Sequence, residues 1–130
     1  MSTVFAFEVW VVGFSEGSHI INAQSLGKAK YQVWRDILDP WPDTPFTAMR
    51  GRKIGPAHTS EQFKRNAVYR GMPDIKCGQR VRVGTDCGTI VGHNSSANFN
   101  VLFDDDSPKY AGLTLNVHPQ EIEIVKEGEA

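Results

Sequence analysis

The chain has 130 residues, of which 40% are hydrophobic and 22% are charged, and its formal net charge is −1. This composition is typical of a soluble globular protein, and a chain of this length should bury roughly two-thirds of its extended surface on folding. No apolar run approaches the roughly 18 residues that a membrane-spanning helix needs, so the composition excludes an integral membrane protein of the helical kind.

The first predicted element is a β-strand over residues 3–13, which are rich in β-branched and aromatic side chains. The two-residue period of a strand puts four apolar side chains on one face, and another element must cover them. A turn over residues 14–18 follows, and His19–Ala23 can return as a second, antiparallel strand. The apolar face consists of Phe5, Phe7, Val9 and Val11.

A helix is predicted next, because Ser25 can cap its N-terminus and apolar residues then recur at helical spacing as far as Asp39. Three prolines within residues 40–45 stop the helix and hold an extended loop that contains Trp41. A third strand is predicted from Phe46 to Ile54, which gives a ββαβ unit. The helical apolar stripe, which should cover the first strand, is Leu26, Ala29, Val33, Trp34, Ile37 and Leu38.

A second, short and basic helix is predicted over residues 61–70, with Thr59 or Ser60 as its cap. The segment Gly71-Met72-Pro73-Asp74 ends it and marks the expected boundary between two subdomains, 1–72 and 73–130. Because this linker is short, we expect the two subdomains to pack together. The predicted fold class is α+β.

The C-terminal part contains short alternating strands separated by Gly and Asn turns, at 78–84, 87–92, 98–104 and 122–125. This pattern resembles the SH3-like barrels and, within them, the KOW-type motif, so the resemblance implies a five-stranded barrel. The turn at 118–121 is similar to the short helical turn before the last strand of such barrels. The acidic loop 104–109 departs from the family, where a nucleic-acid surface would carry Lys or Arg. The residues that carry the resemblance are Gly78, Val81, Val83, Gly88, Ile90 and Gly92.

The segment around the start of the first helix carries a second resemblance. Residues 23–31, with Ala23, Ser25, Gly27, Lys28 and Tyr31, are similar to the helix start of small uncharacterised proteins encoded by bacteriophages and prophages. The resemblance favours a bacterial or viral origin. Since no basic region or cleavage site of a signal peptide is found at the N-terminus, we expect the bacterial cytoplasm, or the host cytoplasm if a phage encodes the chain.

No motif predicts catalysis, a cofactor or a metal. Cys77, Cys87, His93 and His118 are suitable zinc ligands by type, but they lack the closely spaced pairs of structural zinc sites. Cys87 near His93 could form a nucleophile and base, yet no third group can be assigned. The run 104–106 could bind a divalent cation, although an exposed acidic turn explains it as well. We therefore predict a protein that is not an enzyme, with free thiols in a reducing compartment.

Charge is unevenly distributed along the sequence. Residues 28–82 contain twelve Lys and Arg against five Asp and Glu, whereas residues 83–130 have a net charge of −6. If the basic residues share one surface, they can contact several phosphates, and this predicts a module that binds nucleic acid or a nucleoprotein complex. The alternative is that they point in different directions as solvated side chains. The basic candidates are Arg50, Arg52, Lys53, Lys64, Arg65, Arg70, Arg80 and Arg82.

A rival hypothesis starts from the aromatic residues near turns. Trp10, Trp41 and Phe99 could contact a protein partner, which predicts a structural or inhibitory interaction module, encoded by a phage, that assembles with or blocks a host or virion protein. The same chain could also form a homo-oligomer. Trp41, Tyr69 and Phe99 are the candidates for stacking on bases if the partner is nucleic acid.

Overall fold

The computed structural model describes residues 3–14 and 17–125, which form a mixed α+β fold with a three-stranded sheet, a five-stranded sheet and two α-helices. Within these residues, no helix is both long and apolar enough to cross a membrane. The chain divides into two compact units, Val4–His58, called here the N-terminal unit, and residues 59–125 with Thr3, called the C-terminal unit. The elements are β1 (Phe5–Val11), β2 (His19–Ala23), α1 (Leu26–Ile37), β3 (Met49–Pro56), α2 (Glu61–Tyr69), β4 (Arg80–Val83), β5 (Asp86–His93), β6 (Phe99–Phe103), β7 (Thr114–Val117) and β8 (Glu123–Ile124), with 3-10 turns at Phe46–Ala48 and Pro119–Glu121.

The N-terminal unit has the predicted order ββαβ, and its sheet runs β2-β1-β3 with antiparallel pairing throughout. The face of β1 with Phe7, Val9 and Val11 packs in one core with Ala29 and Val33 of α1. The side chain of Ser25 caps α1 by accepting a hydrogen bond from the backbone N–H of Lys28 at 3.2 Å. Strand alternation and helical spacing therefore identified both sides of this core correctly.

Gly51 of β3 lies where α1 crosses the sheet most closely. A Cβ at this position would lie 2.7 Å from the carbonyl oxygen of Glu8 and 2.8 Å from Cδ1 of Leu26. A methyl group therefore does not fit, and the missing side chain lets the first turn of α1 approach β3.

The C-terminal unit contains a five-stranded antiparallel sheet in the order β7-β6-β5-β4-β8. Strand β5 has an irregularity between Ile90 and Gly92, which bends a strand that pairs with neighbours on both sides. Helix α2 belongs to this unit: Phe63 is buried, and its ring centroid lies 5.3 Å from that of Phe99. Ser60 caps α2, since its Oγ accepts a hydrogen bond from the N–H of Phe63 at 3.0 Å.

Three details differ from the sequence expectations. The boundary between the two units lies between His58 and Thr59 in the sequence, so α2 belongs to the C-terminal unit. The sequence had placed this boundary after Met72. Phe46 starts a 3-10 turn, and β3 begins only at Met49. Phe99, expected as a partner contact, is completely buried. All three depend on which surfaces meet in the folded chain, which local periodicity does not encode.

Candidate functional site

Each basic residue of β3 contacts another group of the N-terminal unit. The guanidinium of Arg50 donates hydrogen bonds to the carbonyl oxygens of Thr47 and Met49. Arg52 pairs with Glu8 at 2.9 Å, and this hydrogen bond, with a second from the hydroxyl of Ser18, lowers the pKa of the Glu8 carboxyl. The ammonium of Lys53 lies 3.5 Å from the ring centroid of Phe5. These three basic side chains therefore make their contacts within the N-terminal unit.

The basic residues of α2 interact locally or with the sheet of the same unit. Lys64 pairs with Glu61 at 3.1 Å, and Arg65 donates to the side chain of Gln62 at 3.0 Å. Arg70 donates to the carbonyl oxygens of Ser96 and Ala97 and to the amide oxygen of Asn98. Arg70 thus anchors the end of α2 to the turn between β5 and β6.

The two arginines of β4 are paired with carboxylates. Arg80 makes a bidentate contact with Asp104, at 2.8 and 2.5 Å, and also donates to the hydroxyl of Thr89. The hydrogen bond that Arg80 donates to Asp104 raises the pKa of Arg80 above its usual value. Arg82 pairs with Glu123 at 2.6 Å across β4 and β8. Arg80 is largely shielded from solvent, because the Asp104 side chain is 8% exposed and that of Arg80 only 25%.

The basic candidates are therefore divided between the units, three in the N-terminal unit and five in the C-terminal one. At least four of the eight have a carboxylate partner. In the sequence, Val4–His58 contains six Lys and Arg and five Asp and Glu, and residues 59–130 contain eight and ten. The basic stretch 28–82 straddles the two units, so its excess of positive charge is not a property of either one.

The three partner-binding candidates have different surroundings. Trp10 is half-buried and lies opposite Arg50 in the register of β1 and β3. Phe99 is 0% exposed and is a core residue of the C-terminal unit. Only Trp41 presents a large exposed surface, at 44%. Tyr69, the remaining stacking candidate, is exposed at the end of α2.

Trp41 lines a groove of about 470 Å³ that lies entirely within the N-terminal unit. Its ring packs edge to face against Phe14, with ring centroids 5.4 Å apart at 71°. The end of β1 forms the other wall through Val11 and Val12. Three prolines, Pro40, Pro42 and Pro45, line the same groove. We call this feature the Trp41 groove.

Backbone hydrogen bonds hold the loop that forms the groove. The N–H of Trp41 donates to the carbonyl of Ile37, and the N–H of Thr44 donates to the carbonyl of Trp41. The indole Nε1 of Trp34 donates to the carbonyl of Thr44 at 2.9 Å. The proline-rich loop is thereby fixed to α1.

Exposed aromatic side chains continue beyond the groove. The ring of Trp34 lies 5.6 Å from that of Phe46 and 5.9 Å from that of Tyr31. Phe46 and Tyr31 are 41% and 52% exposed. Tyr31, Trp34 and Phe46 are therefore a second, partly exposed aromatic cluster of the same unit, and exposed apolar side chains that cluster are typical of interaction sites.

Other candidate chemistry is not assembled. Cys77 is buried and Cys87 partly buried, and no disulfide joins them. Within residues 3–14 and 17–125, no group of three or more His, Cys, Asp or Glu side chains could hold a metal ion. His93 contacts the amide of Asn66 at 2.9 Å and the ring of Phe63 rather than Cys87. We find no assembled nucleophile and base in these contacts.

Sequence reasoning identified Trp41 but missed its partner. Phe14 was assigned only to a turn, although it packs on Trp41 from 27 positions away in the sequence. The available signal was the density of Trp and Pro in residues 40–46, which form an unusually apolar loop.

No family model matches this chain, and neither does any curated protein or solved structure.

Proposed function

We propose that this chain is a non-enzymatic module that recognises a protein partner through the Trp41 groove. The observation that supports this function best is an exposed tryptophan, packed on Phe14, in a groove that three prolines also line. Aromatic side chains dominate the energetics of protein interfaces, and a loop held by hydrogen bonds within its own unit loses less entropy on binding.

The rival proposal, a nucleic-acid module, has weaker support from the geometry. A phosphate-binding surface needs several cations that are free to approach the backbone of the nucleic acid. Here Arg80 and Arg82 bind carboxylates, and Arg70 binds backbone oxygens. Rearranging these contacts would cost stability, whereas Trp41 needs no rearrangement to make contact.

We also propose an SH3-like barrel for the C-terminal unit. In its support, β8 returns to pair with β4, the 3-10 turn Pro119–Glu121 precedes β8, and β5 is bent by an irregularity. A bend of this kind is what allows a small sheet to curl on itself. In this proposal the barrel is a scaffold, and the N-terminal unit makes the contact.

The protein-binding function can be tested without knowing the partner. A random peptide library displayed on phage is selected against the full chain, and enriched peptides are then titrated against wild type and Trp41→Ala. We expect the variant to lose on the order of thirty-fold in affinity, as is typical of a buried aromatic anchor at an interface. Tyr69→Ala is the matched control, since it removes an exposed aromatic side chain of the other unit.

Equal affinity of wild type and Trp41→Ala for the enriched peptides would refute the proposed site. An absence of enriched peptides, together with tight and strongly salt-dependent binding of DNA or RNA, would favour the nucleic-acid module instead.

A further inference from the structure

We infer that the Trp41 groove binds an extended proline-rich segment that carries Lys or Arg, with the indole N–H of Trp41 donating to a backbone carbonyl of that segment. The inference rests on the proposed protein-binding function and names the chemical class of its ligand.

The residues that line the Trp41 groove suit a polyproline II segment. The walls of the groove are the rings of Phe14 and Trp41, together with Pro40, Pro42 and Pro45. Aromatic-lined grooves are a recurrent means of recognising polyproline II segments, whose rigid conformation loses little entropy on binding.

Two tryptophans of the N-terminal unit, Trp34 and Trp41, differ in the hydrogen bonding of the indole N–H. The indole N–H of Trp34 is bonded within the unit, to the carbonyl of Thr44. The indole N–H of Trp41 has no partner among the residues that the structure describes, and the side chain is exposed. Polyproline II has no internal hydrogen bonds, so its carbonyl oxygens are free to accept from such a donor.

The charged side chains at the Trp41 groove are acidic. Asp43 lines it, and Asp39 precedes it in the same exposed turn region. Neither carboxylate forms an ion pair with any described residue, and no Lys or Arg lines the groove. The charge is therefore complementary to a basic ligand, and it disfavours a phosphate backbone.

The probe is a synthetic peptide of about twelve residues, four turns of polyproline II, which repeats Pro-Pro-x and ends in two arginines. It is titrated calorimetrically against the full chain. One control peptide has Ala at every Pro position, and another has Glu in place of both arginines. We expect saturable binding of the probe and at least tenfold weaker binding of each control.

The variants separate the contributions of individual contacts. Trp41→Phe keeps an aromatic ring but removes the donor, and we expect about fivefold weaker binding, the worth of one hydrogen bond. Trp41→Ala should lose on the order of thirty-fold. Asp43→Asn should lose about threefold and make the affinity less dependent on salt. Tyr69→Ala should bind as wild type does, and far-ultraviolet circular dichroism checks that each variant is folded.

Several results would overturn the inference. Equal binding of the alanine control peptide would show that proline conformation is not recognised, and wild-type affinity of Trp41→Phe would exclude the hydrogen bond. Binding of single-stranded DNA to the full chain that Trp41→Ala abolishes, or self-association that depends on Trp41, would assign the groove to a different occupant. If library peptides without proline bind in a Trp41-dependent way, the proposed function stands and this inference fails.

Discussion

The two units of this protein differ in how completely they enclose several of their large aromatic side chains. In the C-terminal unit, Phe63, Phe99 and Phe103 are almost completely buried, and Arg80 and Arg82 pair with carboxylates. In the N-terminal unit, Trp41 and Phe46 are largely exposed. The contrast teaches that the surroundings of an aromatic ring, and not its residue type, decide whether it contributes to the core or is available for contact.

This difference follows from the geometry of the covering elements. In the C-terminal unit, α2 places Phe63 directly against Phe99, so the large rings are enclosed. In the N-terminal unit, α1 covers one face of the sheet and ends at Ile37, and the proline-rich loop continues without a further covering element. The aromatic residues of that loop are left at the surface.

The largest expected effect concerns the core of the C-terminal unit. Phe99→Ala should destabilise the protein by about 3–5 kcal/mol, because it opens a cavity where a buried ring was. Phe46→Ala, at an exposed ring, should cost far less. Urea unfolding followed by circular dichroism measures both, and tryptophan fluorescence follows the N-terminal unit separately, since all three tryptophans lie there. If Phe99→Ala is too unstable to purify, Phe99→Leu provides a smaller cavity at the same position. Equal urea midpoints for the Phe99 and Phe46 variants would contradict the difference between a buried and an exposed ring.

The next effect concerns the shielded ion pair. Arg80→Met removes the guanidinium that pairs with the buried Asp104 carboxylate, and we expect a loss of about 2–3 kcal/mol, reduced from the fully buried case because Arg80 is partly exposed. The matched control is Arg82→Met, which breaks the exposed pair with Glu123 and should cost at most about 1 kcal/mol. Thermal unfolding compares them, and equal losses would show that shielding of the Arg80 pair is unimportant.

Two glycines of the N-terminal unit, Gly51 and Gly27, should respond to substitution by alanine in opposite ways. Gly51→Ala places a methyl group against the carbonyl of Glu8 and the side chain of Leu26, so we expect a destabilisation of about 1–3 kcal/mol. Gly27→Ala, in α1, where the added Cβ would lie 4.0 Å from the Oγ of Ser25 at ordinary contact distance, should stabilise by about 0.5–1 kcal/mol. Chemical denaturation measures both signs. A neutral Gly51→Ala would mean that α1 can move away from β3.

A smaller effect is expected from pH. The pKa of Glu8 is lowered in the folded chain by Arg52 and then by Ser18. Its contribution to stability is therefore present above the unfolded pKa, near 4.5, and is lost as the pH falls through the lower folded value. Glu8→Gln should flatten the acid side of the stability curve slightly. An unchanged slope between wild type and variant would exclude a contribution from this carboxylate.

The smallest effect is the one expected for nucleic acid. If the cations are engaged as described, retention on a nucleic-acid column should be weak, with a shallow salt dependence equivalent to about one or two phosphate contacts. Replacing Arg50, Arg52 and Arg65 together by Ala should change it little. Steep loss of binding between about 50 and 200 mM salt, abolished in the triple variant, would restore the nucleic-acid hypothesis.

Local pattern determined much of the fold. The alternation of Phe7, Val9 and Val11 identified the covered face of β1, and the capping residues Ser25 and Ser60 marked the starts of α1 and α2. These features depend on neighbours within a few residues along the chain, because strand period and helix capping are properties of the local backbone.

Tertiary structure alone decided which residues are available for contact. Phe99 and Trp41 have similar character in the sequence, yet one is enclosed by Phe63 and the other packs on Phe14 and stays exposed. Arg80 meets Asp104 from 24 positions away. Contacts between distant segments decide exposure and charge pairing, and nothing in the local period of a sequence specifies which segments will meet.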